Sequence, residues 1–294
     1  MQSWDDFQLI LALHRNGSLR ATAAELGLNH STVSRRLAGI NGNEQSLIFI
    51  RSGGRYALTA LGERLVKVAE LMEQAVHLAD RQKRAEPKGL SGKIRLSVPD
   101  FFGQYLLLDD LFTFCQTYPN IDLHVSTTYD YVDLERNEVD IVVRGADELP
   151  NNLTGERASR LAVSYYCKRG YLERTPPEER RWIRPADGGA FSWDLADSPF
   201  PDVPDILRVQ DHTMRYMALL QGYGMGRAVC FMADVEPDLV RLPGAKTSFM
   251  QDIWVMTHAD LARTPRINAL VSWLVARLRG RQDLLEGQGL AVAP

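Results

Sequence analysis

The sequence predicts a multidomain chain in which an all-α, winged helix-turn-helix module and a long linker helix precede a two-lobed α/β domain. Three observations carry that prediction. Residues Leu19 to Leu37, LRATAAELGLNHSTVSRRL, have the spacing of two crossing helices joined by a tight turn. Apolar residues from Leu61 to Ala79 recur in alternating steps of four and three. From Lys93 onward, strand-like runs alternate with helical ones.

At the amino terminus, Trp4, Phe7, Leu9, Ile10, Leu11 and Leu13 make an apolar helix that covers the motif from behind. Ala23 supplies a small residue where the two helices touch, and Gly27 one that tolerates left-handed geometry at the corner. Leu26, Leu28, Val33 and Leu37 form the apolar seam. The second helix starts at Asn29 or His30 and gathers Val33, Leu37 and Ile40 on one stripe, so Ser31, Ser34 and Arg35 point the other way, flanked by His30 and Arg36. Hydroxyls and a guanidinium on such a face bond base edges and phosphates in a major groove, which makes double-stranded DNA the first partner to consider.

A helical pair with no DNA role is the plain alternative, and the flanks weigh against it. Ile48 to Arg51 and Tyr56 to Leu58 are strand-like runs around Ser52-Gly53-Gly54-Arg55, the pattern of a hairpin wing. Between His14 and Thr59, Arg15, Arg20, Arg35, Arg36, Arg51 and Arg55 stand against Glu25 and Glu44, six positive against two negative, or +4. The whole chain is at −3, so the positive charge is local and suits one DNA-reading module on a body of another kind.

After the wing, Thr59 can cap a helix running to about Arg84 and stopped by Glu86-Pro87-Lys88-Gly89. Leu61, Leu65, Val68, Met72, Ala75 and Ala79 trace the seam of a two-helix contact, with packing on the parent domain as the alternative. The dimer reading suits a two-fold DNA site read by paired helices.

In the remainder, Ile94 to Val98, Ile121 to Ser126 and Val139 to Val143 read as strands, Phe101 to Tyr118 as a helix, and Tyr131 to Asn137 as a short one. A second set begins at Leu161 to Cys167 and continues through Leu207 to Gln210, a helix from Thr213 to Leu220, and Met225 to Phe231. Two lobes with mainly parallel sheet follow. Ligands of such sheets sit beyond the carboxyl ends of strands. That rule selects Pro99, Asp100 and Phe101, then Ser126, Thr127 and Thr128, then Arg144 and Gly145, and in the other lobe Gln210, Asp211 and His212. Arg144 fits either a ligand carboxylate or an ordinary ion pair.

Gly222-Tyr223-Gly224-Met225-Gly226 follows a helix and precedes a strand, the reverse of a dinucleotide loop, and reads as a helix stop. Cys115, Cys167 and Cys230 are widely spaced without CxxC or close His partners, so no metal site or disulfide framework is expected and all three read as core residues. No cofactor motif and no catalytic set is present. Without a membrane span or signal peptide in sight, the expected place is the cytoplasm. The sequons at Asn29 and Asn152 then have no role, and the tail from about Gly280 to Pro294 reads as loosely ordered.

Over nearly its whole length the chain resembles the LysR-type transcriptional regulators. The resemblance rests on FQLILALHRNGSLRATAAELGLNHSTVSRRLAGI, IFIRSGGRYALTALGERL, SGKIRLSVP, QGYGMGRAV and IWVMTHADLARTPRINALVSWL. It implies a DNA-binding domain at 1–59, a dimerising linker helix at 60–89 and an effector-binding domain at 90–294, similar to periplasmic binding proteins. Lobe I would take about 90–160 and 255–280, and lobe II about 161–254. It further implies base and backbone contacts from His30, Ser31, Ser34 and Arg35, phosphate contacts from Arg51 and Arg55, and a small-molecule effector between the lobes. Homodimers or homotetramers are implied as well, with RNA polymerase a possible further partner. One departure is Ile40-Asn41 and Glu44-Gln45, within INGNEQSL, where the family usually has Leu-Glu and then Leu-Gly. The rival reading is a cytoplasmic solute-binding module or enzyme carrying a non-functional helical appendage, disfavoured by the absence of an assembled catalytic set.

Overall fold

A computed structural model describes residues 3–42, 47–84, 89–127, 139–150, 153–186 and 193–288. The chain divides into two compact units, Met1–Arg84 and Ala85–Pro294. Thr128, the short helix expected at 131–137, the turn at 43–46, the helix stop at 85–88, the sequon at Asn152 and the last residues of the tail lie outside the described residues.

In the first unit, helix α1 (Trp4–Asn16) carries Asp5 and Asp6 in its first turn and His14 and Arg15 in its last, matching the helix dipole at both ends. Gly17 ends it at φ +65°. Helix α2 (Leu19–Glu25) is capped by Ser18, whose Oγ accepts from Ala21 N at 3.3 Å. Gly27, at φ +63°, turns the chain into α3 (His30–Asn41). Leu9, Ile10, Leu11 and Leu13 of α1, Ala23 of α2, and Val33, Leu37 and Ile40 of α3 close one core. Each large aliphatic side chain so buried contributes roughly 1.5–3 kcal/mol.

Strands β1 (Phe49–Ser52) and β2 (Arg55–Leu58) form the wing. Ser52 pairs with Arg55, which leaves Gly53 and Gly54 as the turn, at φ 58° and 79°, the geometry of a two-residue I′ hairpin. Asn41, at the departure from the family pattern, fastens this wing. Its Oδ1 accepts from Ile48 N at 3.0 Å and Phe49 N at 3.2 Å, and its Nδ2 donates to Phe49 O at 3.3 Å. Helix α4 (Ala60–Arg84) then starts on Thr59, whose Oγ1 accepts from Gly62 N at 3.1 Å and donates to Leu47 O at 2.7 Å.

The α4 stripe is shared between two uses. Leu61 and Leu65 pack on the core of their own unit with Val66 and Ala69, and Arg15 of α1 grips Glu73 through two bonds of 3.0 and 2.7 Å. Farther along, Val68, Ala75 and Ala79 of the expected stripe are exposed and Met72 is half-buried, and Leu71, Val76 and Leu78, which lie outside that stripe, are exposed by 40–65%.

Among the described residues, the second unit is built on a nine-stranded mixed sheet. Its strands are β3 (Gly92–Val98), β4 (Ile121–Thr127), β5 (Ile141–Ala146), β6 (Leu153–Lys168), β7 (Trp182–Arg184), β8 (Asp205–Arg208), β9 (Met225–Val229), β10 (Leu239–Arg241) and β11 (Ser248–His258). Their order is β4-β3-β5-β11-β6-β9-β7-β8, with β10 also on β6. The expected mainly parallel sheet is therefore corrected. Parallel pairing is confined to β3 with β4 and β5 in one lobe and to β7 with β8 and β9 in the other. The lobes are joined by β6 and β11, long antiparallel strands that run through both. The run Leu161 to Cys167, read as the start of a second set, is the far half of β6.

Helices complete the lobes. A turn at Asp100–Phe102 and a π-helical turn at Gly103–Leu107 lead into α5 (Leu108–Thr117), α6 (His212–Gln221) lies on the other lobe, and α7 (Pro265–Arg279) packs on β6, β11 and α5. Two further expectations change. Cys115 is exposed, whereas Cys167 and Cys230 are buried, because the outer face of α5 also carries exposed Leu108 and Phe112. The tail is ordered as far as it is described: a turn at Gln282–Leu285 buries Leu285, and Glu286 pairs with Arg160 at 2.8 Å. Met225 to Phe231 is strand only to Val229, and Cys230 opens a helical turn.

Candidate functional site

Two places concentrate polar chemistry, one in each unit. In the first, α3 buries Val33, Leu37 and Ile40 and leaves His30, Ser31, Ser34 and Arg35 exposed on the opposite side. The apolar stripe dictates that orientation, because turning the helix would expose three core residues. Arg36 is half-buried and lies 3.8 Å from Asp5, a surface pair of little energetic weight that leaves its guanidinium available to a phosphate.

The wing is held in register with this helix by its base. Tyr56 N donates to Gly17 O at 3.1 Å, and the Asn41 carboxamide ties the start of β1 to the end of α3. Arg51 and Arg55 are both exposed, and the Arg51 guanidinium lies 5.4 Å from the centre of the Tyr56 ring. Aromatic support of this kind orients a cation without neutralising it.

In the second unit the strand-end residues separate into two groups. Asp100 and Phe101 of one lobe meet α6 of the other: Thr213 Oγ1 donates to Asp100 Oδ2 at 2.6 Å, and the Phe101 ring lies 4.9 Å from that of His212. Phe101 and Phe102 also pack on Phe231, and Tyr105 stands edge-on to Tyr216. Pro99 is buried beside them. Ser126 and Thr127 are exposed at the end of the edge strand β4, where Thr127 pairs in register with Val98. Arg144 is 3% exposed, and its Nη2 donates to Ser97 Oγ at 3.2 Å. Gly145 faces Gln251, whose Oε1 would lie 2.6 Å from a Cβ there. Gln210 and Asp211 are exposed, and Asp211 caps α6 by accepting from Met214 N at 2.6 Å.

His212 also lines a small recess, with room for little more than a water molecule, whose other walls include Val163, Trp193, Arg215, Arg227 and Met250. Burial, reinforced by the Arg215 charge, pushes His212 down to about 4, so its ring is neutral at pH 7. Arg215 Nη1 donates to Val209 O and Gln210 O at 2.6 and 2.8 Å. Among the described residues no group of three or more His, Cys, Asp or Glu is placed to hold a metal ion, and no helix is long and apolar enough to cross a membrane.

Comparison with known proteins gives both units a relation. The model of the bacterial regulatory helix-turn-helix protein, lysR family, matches residues 4–63, and that of the LysR substrate binding domain matches residues 87–279. The chain belongs to the LysR family of transcriptional regulators. Among its LysR relatives, the Mau operon transcriptional activator of Paracoccus denitrificans is 25% identical over 92% of this chain and 95% of its own. The transcriptional activator AmpR of Yersinia enterocolitica is 22% identical over the same shares. In fold, the LysR-type regulator CrgA from Neisseria meningitidis superposes with a TM-score of 0.56 at 18% identity, covering 95% of this chain and 99% of that one.

As a LysR-type regulator the chain joins a DNA-binding helix-turn-helix to a domain that takes a small molecule. In this LysR chain, sequence reasoning reached the outward face of α3 and missed most of the recess. Trp193, Arg215, Arg227 and Met250 lie on a loop, a helix and two strands that only tertiary folding assembles. One signal was present: Arg227 is the single charge in the apolar run MGRAVCFMA.

Proposed function

We propose that this regulator reads a two-fold promoter site through the α3 helices of a homodimer or homotetramer in the cytoplasm, and that a small molecule bound by the two-lobed domain alters the geometry of the bound DNA. The single observation that carries the DNA reading is the exposed set His30, Ser31, Ser34 and Arg35 on a helix locked in place by buried Val33, Leu37 and Ile40. Arg36, Arg51 and Arg55 add phosphate contacts that position the protein, and base choice falls to the α3 face. The exposed stretch of α4 through Val68, Leu71, Ala75 and Leu78 keeps the three-and-four spacing a partner helix needs and supplies the dimer seam.

On the effector side, Asp100, Phe101, His212 and Thr213 are the groups at which the lobes touch, so a ligand that favours one lobe arrangement acts there. Pro99, Ser126, Thr127, Thr128, Arg144, Gly145, Gln210 and Asp211 complete the set from which ligand contacts are drawn. RNA polymerase is the partner through which a regulator that activates would act.

Genome-wide binding of the purified, tagged protein to the DNA of its own organism, with wild type beside Arg35→Ala, tests this. A two-fold site enriched by wild type and lost in the variant supports the reading. Equal, featureless binding by both contradicts it.

A further inference from the structure

After α7 the chain passes from one lobe to the other. At the lobe I end, Arg281 Nη1 donates to Leu106 O at 2.8 Å and pairs with Asp110 of α5. The turn Gln282–Leu285 then buries Leu285 completely. Glu286 is 6% exposed, and its carboxylate accepts from Arg160 of β6 at 2.8 and 3.3 Å and from Gln282 Nε2 at 3.1 Å. At the lobe II end, Gly287 O accepts from Arg241 Nη2 of β10 at 2.9 Å. Arg241 is itself held by Asp234 at 2.6 and 2.8 Å and by Thr247 Oγ1 at 2.9 Å. Gly287 sits at φ +71°, and a Cβ there would lie 3.0 Å from Cys230 Sγ and from Thr247 Cγ2, and 3.3 Å from Ala162 Cβ, all of them lobe II atoms. Glycine seats the backbone in a place where a larger residue meets strain and collision together.

This passage runs beside the joint between the lobes. Between Asp252, the last partner of β5, and Val163, the first partner of β9, the sheet narrows among the described residues to β6 and β11. The two strands shift register there, at Phe249/Gln251 and Ile253/Trp254, and such irregularities bend and twist a strand pair. The residues gripped by the passage frame those shifts. Ala162 pairs with Phe249, Arg160 pairs with Asp252 between the shifts, and the Arg160 guanidinium lies 3.7 Å from the centre of the Phe249 ring. A narrow, bulged ribbon is where two packed lobes turn against each other, since a few residues absorb the change.

We infer that Arg281 to Gln288 is a strap that clasps lobe II to lobe I at this joint and sets their resting angle. A rearrangement that opens the joint has to draw Gly287 from its seat or carry the strap along, so the strap limits the excursion. Its role depends on neither DNA nor a ligand, and its failure leaves the regulator reading untouched.

The test measures the distance between the lobes in the full-length protein by pulsed electron spin resonance. Cys115, exposed on α5, carries one label, and Tyr223→Cys, at a position 66% exposed just beyond α6, carries the other. Cys167 and Cys230 are changed to serine in every sample, and labelled chains are diluted into unlabelled ones so that only pairs within a chain count. With the strap intact, one narrow distribution is expected. Gly287→Val, and a chain stopped after Gln282 that keeps the Arg281 contacts, are each expected to broaden it at least twofold or to move its centre, with helical circular dichroism kept. An unchanged distribution in either folded variant would overturn the inference. Should both variants fail to fold, hydrogen exchange on wild type decides. The amides of Leu285, Glu286 and Gly287 donate to Arg281 O, Gln282 O and Leu284 O, and are expected to be protected like those of β6. Exchange at the rate of an open chain end overturns the strap.

Discussion

His212 shows how a single residue couples burial to pH. Its ring is 5% exposed, and burial together with the charge of Arg215 holds it at about 4, against 6.5 for a free histidine, with Asp100 and Asp211 pulling the other way. A folded pKa below the unfolded one means that the unfolded chain binds the extra proton between the two values. The contribution to stability is therefore complete above about pH 6.5 and is lost as pH falls toward 4. The difference corresponds to about 3 kcal/mol. His212→Asn is expected to flatten this limb of the stability curve, measured by urea unfolding between pH 7 and pH 4 against wild type; parallel curves would show that other groups govern it. At this scale the sequence was partly legible. The position of His212 at a helix start after a strand marked it as a ligand candidate, but nothing local showed that Arg227, fifteen residues on, would line the same recess.

Among the elements, the helix-turn-helix and wing were the most legible because their signals are local. A period of three to four fixed the buried face of α3, and Gly53-Gly54 fixed the hairpin. Strands β6 and β11 were hidden for the opposite reason. The near half of β6 runs Thr154-Gly155-Glu156-Arg157, which has no apolar run to mark a strand, and β11 is interrupted by register shifts at Phe249/Gln251 and Ile253/Trp254. Their pairing depends on each other and on nothing within either segment. The junction of wing and α4 is equally non-local: a Cβ on Gly62 would stand 2.3 Å from Ile48 O and 2.9 Å from Leu58 Cδ2. Since the Ile48 backbone as well as the Leu58 side chain must shift, Gly62→Ala is expected to destabilise the first unit by about 1–3 kcal/mol, read as a lower melting temperature; an unchanged melting temperature would show that α4 adjusts freely. The exposed part of α4 yields a second expectation. Leu71→Glu combined with Leu78→Glu should shift the protein toward monomer in sedimentation without loss of helical circular dichroism, and an unchanged oligomer would move the seam elsewhere.

For the whole molecule, division of labour is written in the charge. The segment His14 to Thr59 is at +4 in a chain at −3, so the positive charge that would attract DNA is concentrated in one unit. Binding should weaken steeply with salt through Arg36, Arg51 and Arg55, whereas base choice should follow Arg35. The most direct measurement is therefore the affinity of wild type and Arg35→Ala, at one fixed salt concentration, for the selected site and for versions of it altered one base pair at a time. The expected result is a loss of about 1–3 kcal/mol for Arg35→Ala on the intact site, with discrimination relaxed at one position in each half-site. A uniform loss at every position would reduce Arg35 to a phosphate contact, and unchanged affinity would contradict the assignment of α3 as the helix that reads DNA.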